Sequence, residues 1–171
     1  SFHWENKKII ELPTENFFGG WIEDNNSVAK SNVFKNDMIY FLVPVYNENS
    51  NLELLIKNLK GLLPDREKFY VFSDDGSSDG SVEYIKKFFP SEENFIVLGD
   101  GSNHGPGYAF NKGFEWILEH SRNTNDITVT IEADNTSDLN ILPNMITISE
   151  MGFNLVLASV YAQGGGFDKT S

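Results

Sequence analysis

The chain has 171 residues, 40% of them apolar, with 14 Phe, 6 Tyr and 3 Trp. That composition fits one folded domain with a substantial core and excludes a disordered chain. Its net charge of −12 excludes nucleic acid or an anionic membrane surface as the main partner, and the absence of cysteine excludes disulfides and thiolate chemistry.

In chain order, residues 1–37 are polar and irregular, broken only by the aromatic cluster "NFFGGW". They read as an N-terminal extension that packs on the domain through Phe17, Phe18 and Trp21. The longest apolar run, "MIYFLVPV" (38–45), is far too short to cross a bilayer, and no signal peptide opens the chain. Ser1 stands where an initiator Met is expected, so the parent protein is expected to be longer.

The same run predicts a strand buried on both faces. "NENSNLELLIKNLKGLL" follows, with Ser50 and Glu53 at capping-box spacing and Leu52, Leu55, Ile56, Leu59 and Leu63 on one helical face. Next come the strand "KFYVFS" and the helix "SVEYIKKFF", with Val82, Ile85 and Phe89 in phase. The strand "NFIVLG" leads to the helix "GYAFNKGFEWILEH". A fourth strand, "DITVTIEA", a fourth helix, "ILPNMITISEM", and a fifth strand, "FNLVLASVY", complete the pattern. This alternation predicts βαβ units: an α/β fold with a mostly parallel sheet and helices on both faces.

Polar clusters fall where strands end: "YNEN" after the first, "DDGSSDG" after the second, "EADNTSD" after the fourth. In an open parallel sheet those ends share one edge, so three clusters distant in sequence are expected at one crevice. Glu132 and Asp134 are two apart and point the same way, with small Ala133 between them to let a ligand approach. Two convergent carboxylates suit a hard divalent cation, Mg²⁺ or Mn²⁺, shared with phosphate oxygens. The plainer alternative is that Asp134, Asn135 and Asp138 cap the next helix and serve the turn. Charge favours the cation, because His104 and Lys112 are the only cationic candidates near the expected crevice. A phosphate-bearing ligand there needs imported positive charge.

Asp74, at the tip of a buried strand, is suited to accept hydrogen bonds from a nucleobase N–H or ribose hydroxyls. Tyr46 can stack on a base with Glu48 accepting beside it, or it is an ordinary core aromatic. Asp79 is expected to N-cap the second helix. "NHGPGYAFNKG" enters a helix whose N-terminus suits an anion, but its spacing is not the dinucleotide fingerprint. Within it, Gly113 is expected to permit close helix–sheet packing, and His104 is given no role.

"VPVYNE" (43–48), "SDDGSSDG" (73–80), "NHGPGYAFNKG" (103–113), "IEADNTSD" (131–138) and "LASVYAQGG" (157–165) together resemble family-2 glycosyltransferases. The resemblance is nearest to the dolichyl- or polyprenyl-phosphate sugar synthase branch and covers about residues 38–166. It implies a Rossmann-like GT-A fold, with 38–171 a nucleotide-sugar-binding domain that lacks its C-terminal part. By the same resemblance Pro44, Val45, Tyr46 and Glu48 line the nucleoside pocket and Asp74 contacts base or ribose. Asp75 and Asp79 are left to hold the loop. Glu132, Ala133 and Asp134 stand at the family's Asp-x-Asp, with Glu132 and Asp134 on the metal and Asp134 the catalytic candidate. No residue is identified as catalytic base. Two departures stand out: Glu132 replaces the family's first Asp, and Val160 stands where the branch carries Arg in its G-S-R-Y pattern.

The activity so implied is metal-dependent, inverting transfer of a sugar from a nucleotide-diphospho-sugar. The acceptor is a sugar, a lipid phosphate or another hydroxyl compound. Nucleic acid is not a partner, and a membrane is reached only through parts of the parent outside this chain, at the inner face from the cytoplasm. A non-catalytic nucleotide-sugar-binding module is the first alternative. A nucleotidyltransferase ranks lower, because "YNENSN" after the first strand has no Lys or Arg for a triphosphate.

Overall fold

Strands form where the apolar runs were read. β1 is Ile39–Val45, β2 Lys68–Asp74, β3 Phe95–Leu98 and β4 Ile127–Thr130. The helices between and after them are α1 (Asn49–Gly61), α2 (Ser81–Phe88), α3 (Pro106–His120) and α4 (Leu142–Glu150), the last preceded by a 3₁₀ turn at Leu139–Ile141. A computed structural model describes residues 37–89, 94–159 and 161, which fall into two compact units, one ending at Leu139 and the other starting at Asn140. The expected extension, with Phe17, Phe18 and Trp21, lies outside the described residues, as do Val160 and most of "LASVYAQGG".

The four strands make one parallel sheet in the order β3-β2-β1-β4. Its central register sets Phe41 beside Tyr70 and Val45 beside Asp74. Alternation along β1 separates the two faces. Tyr40 and Leu42 join Val71 and Ile117 in a core with Phe69, Ile96, Leu98, Phe110 and Trp116, so α3 covers that face. On the other face Phe41 stacks on Tyr70 at 5.7 Å, and Phe89, just past α2, meets Tyr70, Phe72 and Phe95 at 5.1, 5.6 and 4.9 Å. With both faces covered, β1 is buried almost throughout, which is why it reads as an unbroken apolar run.

Gly113 lets α3 sit close to the sheet, because an added Cβ would overlap Leu42 Cδ1. Helix α1 buries Leu52, Leu55, Ile56 and Leu59, while Leu63 lies beyond its end in a left-handed conformation (φ 48°). Lys68 closes α1 by donating from Nζ to the carbonyls of Lys60 and Leu62 at 2.8 and 2.6 Å, and burial pulls its pKa down.

Three local expectations are corrected. Ser50 and Glu53 form no capping box: α1 starts at Asn49 with Glu48 as N-cap and no side-chain cap bond. Its first N–H, on Asn49, is taken instead by Asp79 of the next loop at 2.9 Å. Asp79 is also not the N-cap of α2, which is Gly80 in a left-handed conformation (φ 88°). From one position earlier Asp79 still accepts the Ser81 N–H at 3.0 Å. Finally, residues 153–159 of the expected fifth strand form no strand. Alternating apolar residues define a face, but a strand also needs a neighbour for its N–H and C=O groups. Leu155 and Leu157 are accordingly exposed.

Candidate functional site

The strand order makes β1→β2→β3 run one way and sends β4 to the other side of β1. The reversal opens a crevice between the carboxyl ends of β1 and β4, the place where open α/β sheets bind ligands. Tyr46 and Glu48 follow β1, Asp74 ends β2, and Glu132 and Asp134 follow β4. Because β1 lies between β2 and β4, Asp74 and the Glu132–Asp134 pair are about two strand spacings apart, roughly 10 Å. The predicted residues therefore share one rim within the span of a nucleoside diphosphate.

Ile131 N donates to Leu42 O at 3.0 Å, continuing the β4 ladder one residue past the strand. From there the chain alternates: Ile131 and Ala133 are buried, Glu132 and Asp134 exposed. Both carboxylates are thus open to solvent just past the end of β4. Asp134 Oδ1 accepts from Thr136 N and Oγ1 at 3.0 and 2.8 Å, a turn-forming use that leaves Oδ2 for a ligand. The turn half of the plainer alternative thus holds for Asp134, while α4 itself starts at Leu142 with Ile141 as N-cap and no side-chain bond. No group of three or more His, Cys, Asp or Glu able to hold a metal occurs among the described residues. Two exposed carboxylates nevertheless fit a cation of the Mg²⁺ class, which takes one or two protein carboxylates and completes its shell with water and substrate phosphate.

On the β1 side, Tyr46 is 51% exposed, so it is not a core aromatic. Glu48 Oε2 accepts from Asn51 Nδ2 at 2.6 Å, which orients the carboxylate. Pro44 is half-buried, and the side chains of Val45 and Ala133 lie in the core, so those two offer a ligand only main chain.

The acidic loop after β2 divides its work. Asp74, only 6% exposed, turns its carboxylate onto its own loop, with Oδ2 accepting from Gly76 N at 3.1 Å and Ser77 N at 3.2 Å. Its Oδ1 receives only a long contact from Ser77 N at 3.4 Å and keeps acceptor capacity. Asp75, 4% exposed, reaches across to the loop after β3 and takes the N–H groups of His104 and Gly105 at 2.8 and 2.9 Å. The anion suited to the start of α3 is thus the protein's own carboxylate. At Gly76 (φ 80°) an added Cβ would lie 2.6 Å from Ser102 C, so the loops after β2 and β3 touch through main chain.

Several residues that hold the rim together went unrecognised in the sequence. Asn47, left-handed at φ 56°, donates N–H to Ser77 Oγ at 2.9 Å and accepts from Ser78 N at 2.9 Å. Glu48 N donates to Ser81 Oγ at 3.0 Å, and Asn49 bonds Asp79 through both its N–H (2.9 Å) and its side-chain amide (2.8 Å). The loops after β1 and β2 are laced by these five hydrogen bonds. Their sequence signal is faint: short polar residues in two turns, with nothing to pair one turn to the other.

Cations are sparse here. Lys112 Nζ sits 5.8 Å over the Tyr108 ring, and His104 Nε2 lies 3.0 Å from Asp100 Oδ2. Hydrogen bonds from Ser102 and His104 hold the Asp100 carboxyl below its ordinary range.

A parallel sheet with an acidic rim at a topological switch point defines an open α/β domain, a class that binds its ligands along that rim. The sequence profile described as glycosyl transferase family 2 matches residues 40–171, and the chain belongs to that family. The chain is 26% identical over 137 residues to the undecaprenyl-phosphate 4-deoxy-4-formamido-L-arabinose transferase of Yersinia enterocolitica, covering 78% of this chain and 40% of the relative. It is 28% identical to the undecaprenyl-phosphate mannosyltransferase of Micrococcus luteus (72% of this chain, 49% of the relative). To the polyprenol monophosphomannose synthase of Mycolicibacterium smegmatis it is also 28% identical (72% and 45%). The chain thus spans less than half the length of these curated relatives. Among the described residues no helix is long and apolar enough to cross a membrane.

Proposed function

We propose that this domain binds a nucleotide-diphospho-sugar at the β1–β4 rim and transfers the sugar with inversion to an acceptor oxygen. One observation carries the reading: Glu132 and Asp134 both stand exposed just past the end of β4, across the switch point from Tyr46 and Glu48, in a family-2 chain. The nucleoside would stack on Tyr46, with Glu48 and the remaining capacity of Asp74 Oδ1 accepting hydrogen bonds from it. Glu132 and Asp134 would hold Mg²⁺ or Mn²⁺ together with the donor diphosphate; when bound, the cation supplies charge stabilisation for the departing nucleoside diphosphate. The acceptor oxygen bonds to the anomeric carbon as the bond to the diphosphate breaks on the opposite face. The named relatives support a polyprenyl phosphate as acceptor, while Val160 in place of the branch's Arg favours testing a hydroxyl acceptor beside it.

Calorimetry on the wild type and on Asp134→Ala, with UDP, GDP, CDP and dTDP in the presence and absence of Mn²⁺, tests the reading. Mn²⁺ is expected to tighten one of the four at least 10-fold in the wild type only. Equal, metal-independent affinity in both proteins would refute it. A second reading, a module that binds the donor without turning it over, draws on the Glu132 and Val160 departures. Donor hydrolysis or transfer by the full-length protein separates the two.

A further inference from the structure

Asn135 follows directly on Asp134 and adopts φ 60°, the left-handed region that Asn enters more readily than most residues. Its Nδ2 donates to the carbonyl oxygen of Asn51 at 2.9 Å, a bond that spans 84 residues of sequence. Asn51 belongs to the first turn of α1, and its own side chain donates to Glu48 Oε2 at 2.6 Å. Its N–H meets Glu48 O at 2.8 Å. A continuous chain of hydrogen bonds therefore crosses the switch point, from the turn holding Glu132 and Asp134, through Asn51, to the carboxylate of Glu48. The expected uses of Asn135, a helix cap or an ordinary turn residue, account for none of this, since α4 starts at Leu142.

We infer that Asn135 is a positioning residue that fixes the distance between the two halves of the donor site. Resting on the donor-site reading above, the inference assigns Asn135 no contact with the donor. Its role is to hold the Glu132–Asp134 turn against α1 so that cation and diphosphate meet carboxylates already in register with the nucleoside wall. The residue type is demanding. Gly tolerates the backbone angle but has no donor. Asp tolerates it too, but turns a carboxylate oxygen onto the Asn51 carbonyl. Ala supplies neither requirement.

Asn135→Gly therefore removes the bond and keeps the turn, and Asn135→Asp replaces attraction by repulsion. Both are compared with the wild type in three measurements: the urea midpoint, the affinity for UDP, GDP, CDP and dTDP with and without Mn²⁺, and the electron paramagnetic resonance spectrum of bound Mn²⁺. Loss of a group bonded directly to a metal ligand typically weakens metal binding about 10- to 100-fold. Asn135, which acts through the turn and touches neither carboxylate, is expected at or below the lower end of that range. The expected result is a midpoint near that of the wild type and unchanged metal-free nucleotide affinity. With these, the tightening produced by Mn²⁺ should fall by up to about 10-fold, and the Mn²⁺ spectrum should change. A wild-type Mn²⁺ effect in Asn135→Gly would overturn the inference while leaving the donor-site reading intact. So would a loss of metal-free affinity and midpoint in step with the Mn²⁺ effect, which marks a residue of the fold alone. A wild type that takes up neither Mn²⁺ nor any of the four nucleotides would remove both.

Discussion

Asp79 sits at the foot of α2, where Ser81 donates from both N–H and Oγ (3.0 and 2.6 Å) and Asn49 donates its N–H (2.9 Å). Desolvation pushes its pKa up, but the hydrogen bonds from Ser81 and Asn49 outweigh it and hold the carboxyl below its ordinary 3.8. A carboxyl lowered in the folded state adds stability that is complete above the unfolded value and lost as pH falls through the folded one. Urea midpoints from pH 7 down to pH 2.5 should therefore drop less steeply below about pH 4 in Asp79→Asn than in the wild type. Parallel curves would remove Asp79 from the acid response. Its neighbours show the limit of reading single residues. In sequence, Asp74 reads as a ligand contact and Asp75 and Asp79 as loop residues, but no partner for Asp75 is visible there, nor that Asp74 also serves the loop. Asp75 meets His104 and Gly105, 29 and 30 residues away, while Asp74 turns back on its own loop.

Helix α3 shows how tightly one element can be set. Gly113→Ala gains about 1 kcal/mol of helix propensity, but its methyl overlaps Leu42, which is fully buried and has little room to rotate. Overpacking of this kind costs about 1–3 kcal/mol, so a net loss of roughly 1 kcal/mol is expected by denaturant titration. Leu42→Val in the same protein should recover part of it, giving a combined loss smaller than the sum of the two. Additive losses would show that the two side chains do not meet. This packing was legible in advance, because a Gly inside a strongly periodic helix has few other uses. The strands and helices up to α4 were legible for the same reason: apolar spacing reports which face is buried, and burial organises the sheet. The start of α1 was not, since its first N–H is satisfied by Asp79 from another loop. Nor was the absence of a strand at 153–159, because ladder partners leave no trace in local spacing.

At the scale of the molecule, a net charge of −12 sits beside the rim proposed to receive a diphosphate. A donor arriving with a cation brings its own neutralisation, and any ligand held only by the folded state stabilises it. At about 100 times the dissociation constant, nucleoside diphosphate with Mn²⁺ should add about 2.7 kcal/mol. For a chain of this size that corresponds to a rise in melting temperature of roughly 5–10 °C. The same nucleotide with a chelator should give little rise, and equal shifts in both conditions would detach the cation from the site. That the acidic clusters after β1, β2 and β4 end on one edge was legible from topology, since parallel strands share their carboxyl ends. What ties its parts together was not, because Asn47, Asn51 and Asn135 act through partners that only the folded chain supplies.

The lacing between the loops after β1 and β2 has a consequence for how this rim tolerates change. Asn47 with Ser77 and Ser78, and Asn49 with Asp79, join two segments thirty residues apart through four hydrogen bonds. A replacement in one loop is therefore felt in the other: Asn47→Ala takes away the oxygen that receives the Ser78 N–H, thirty-one residues along the chain.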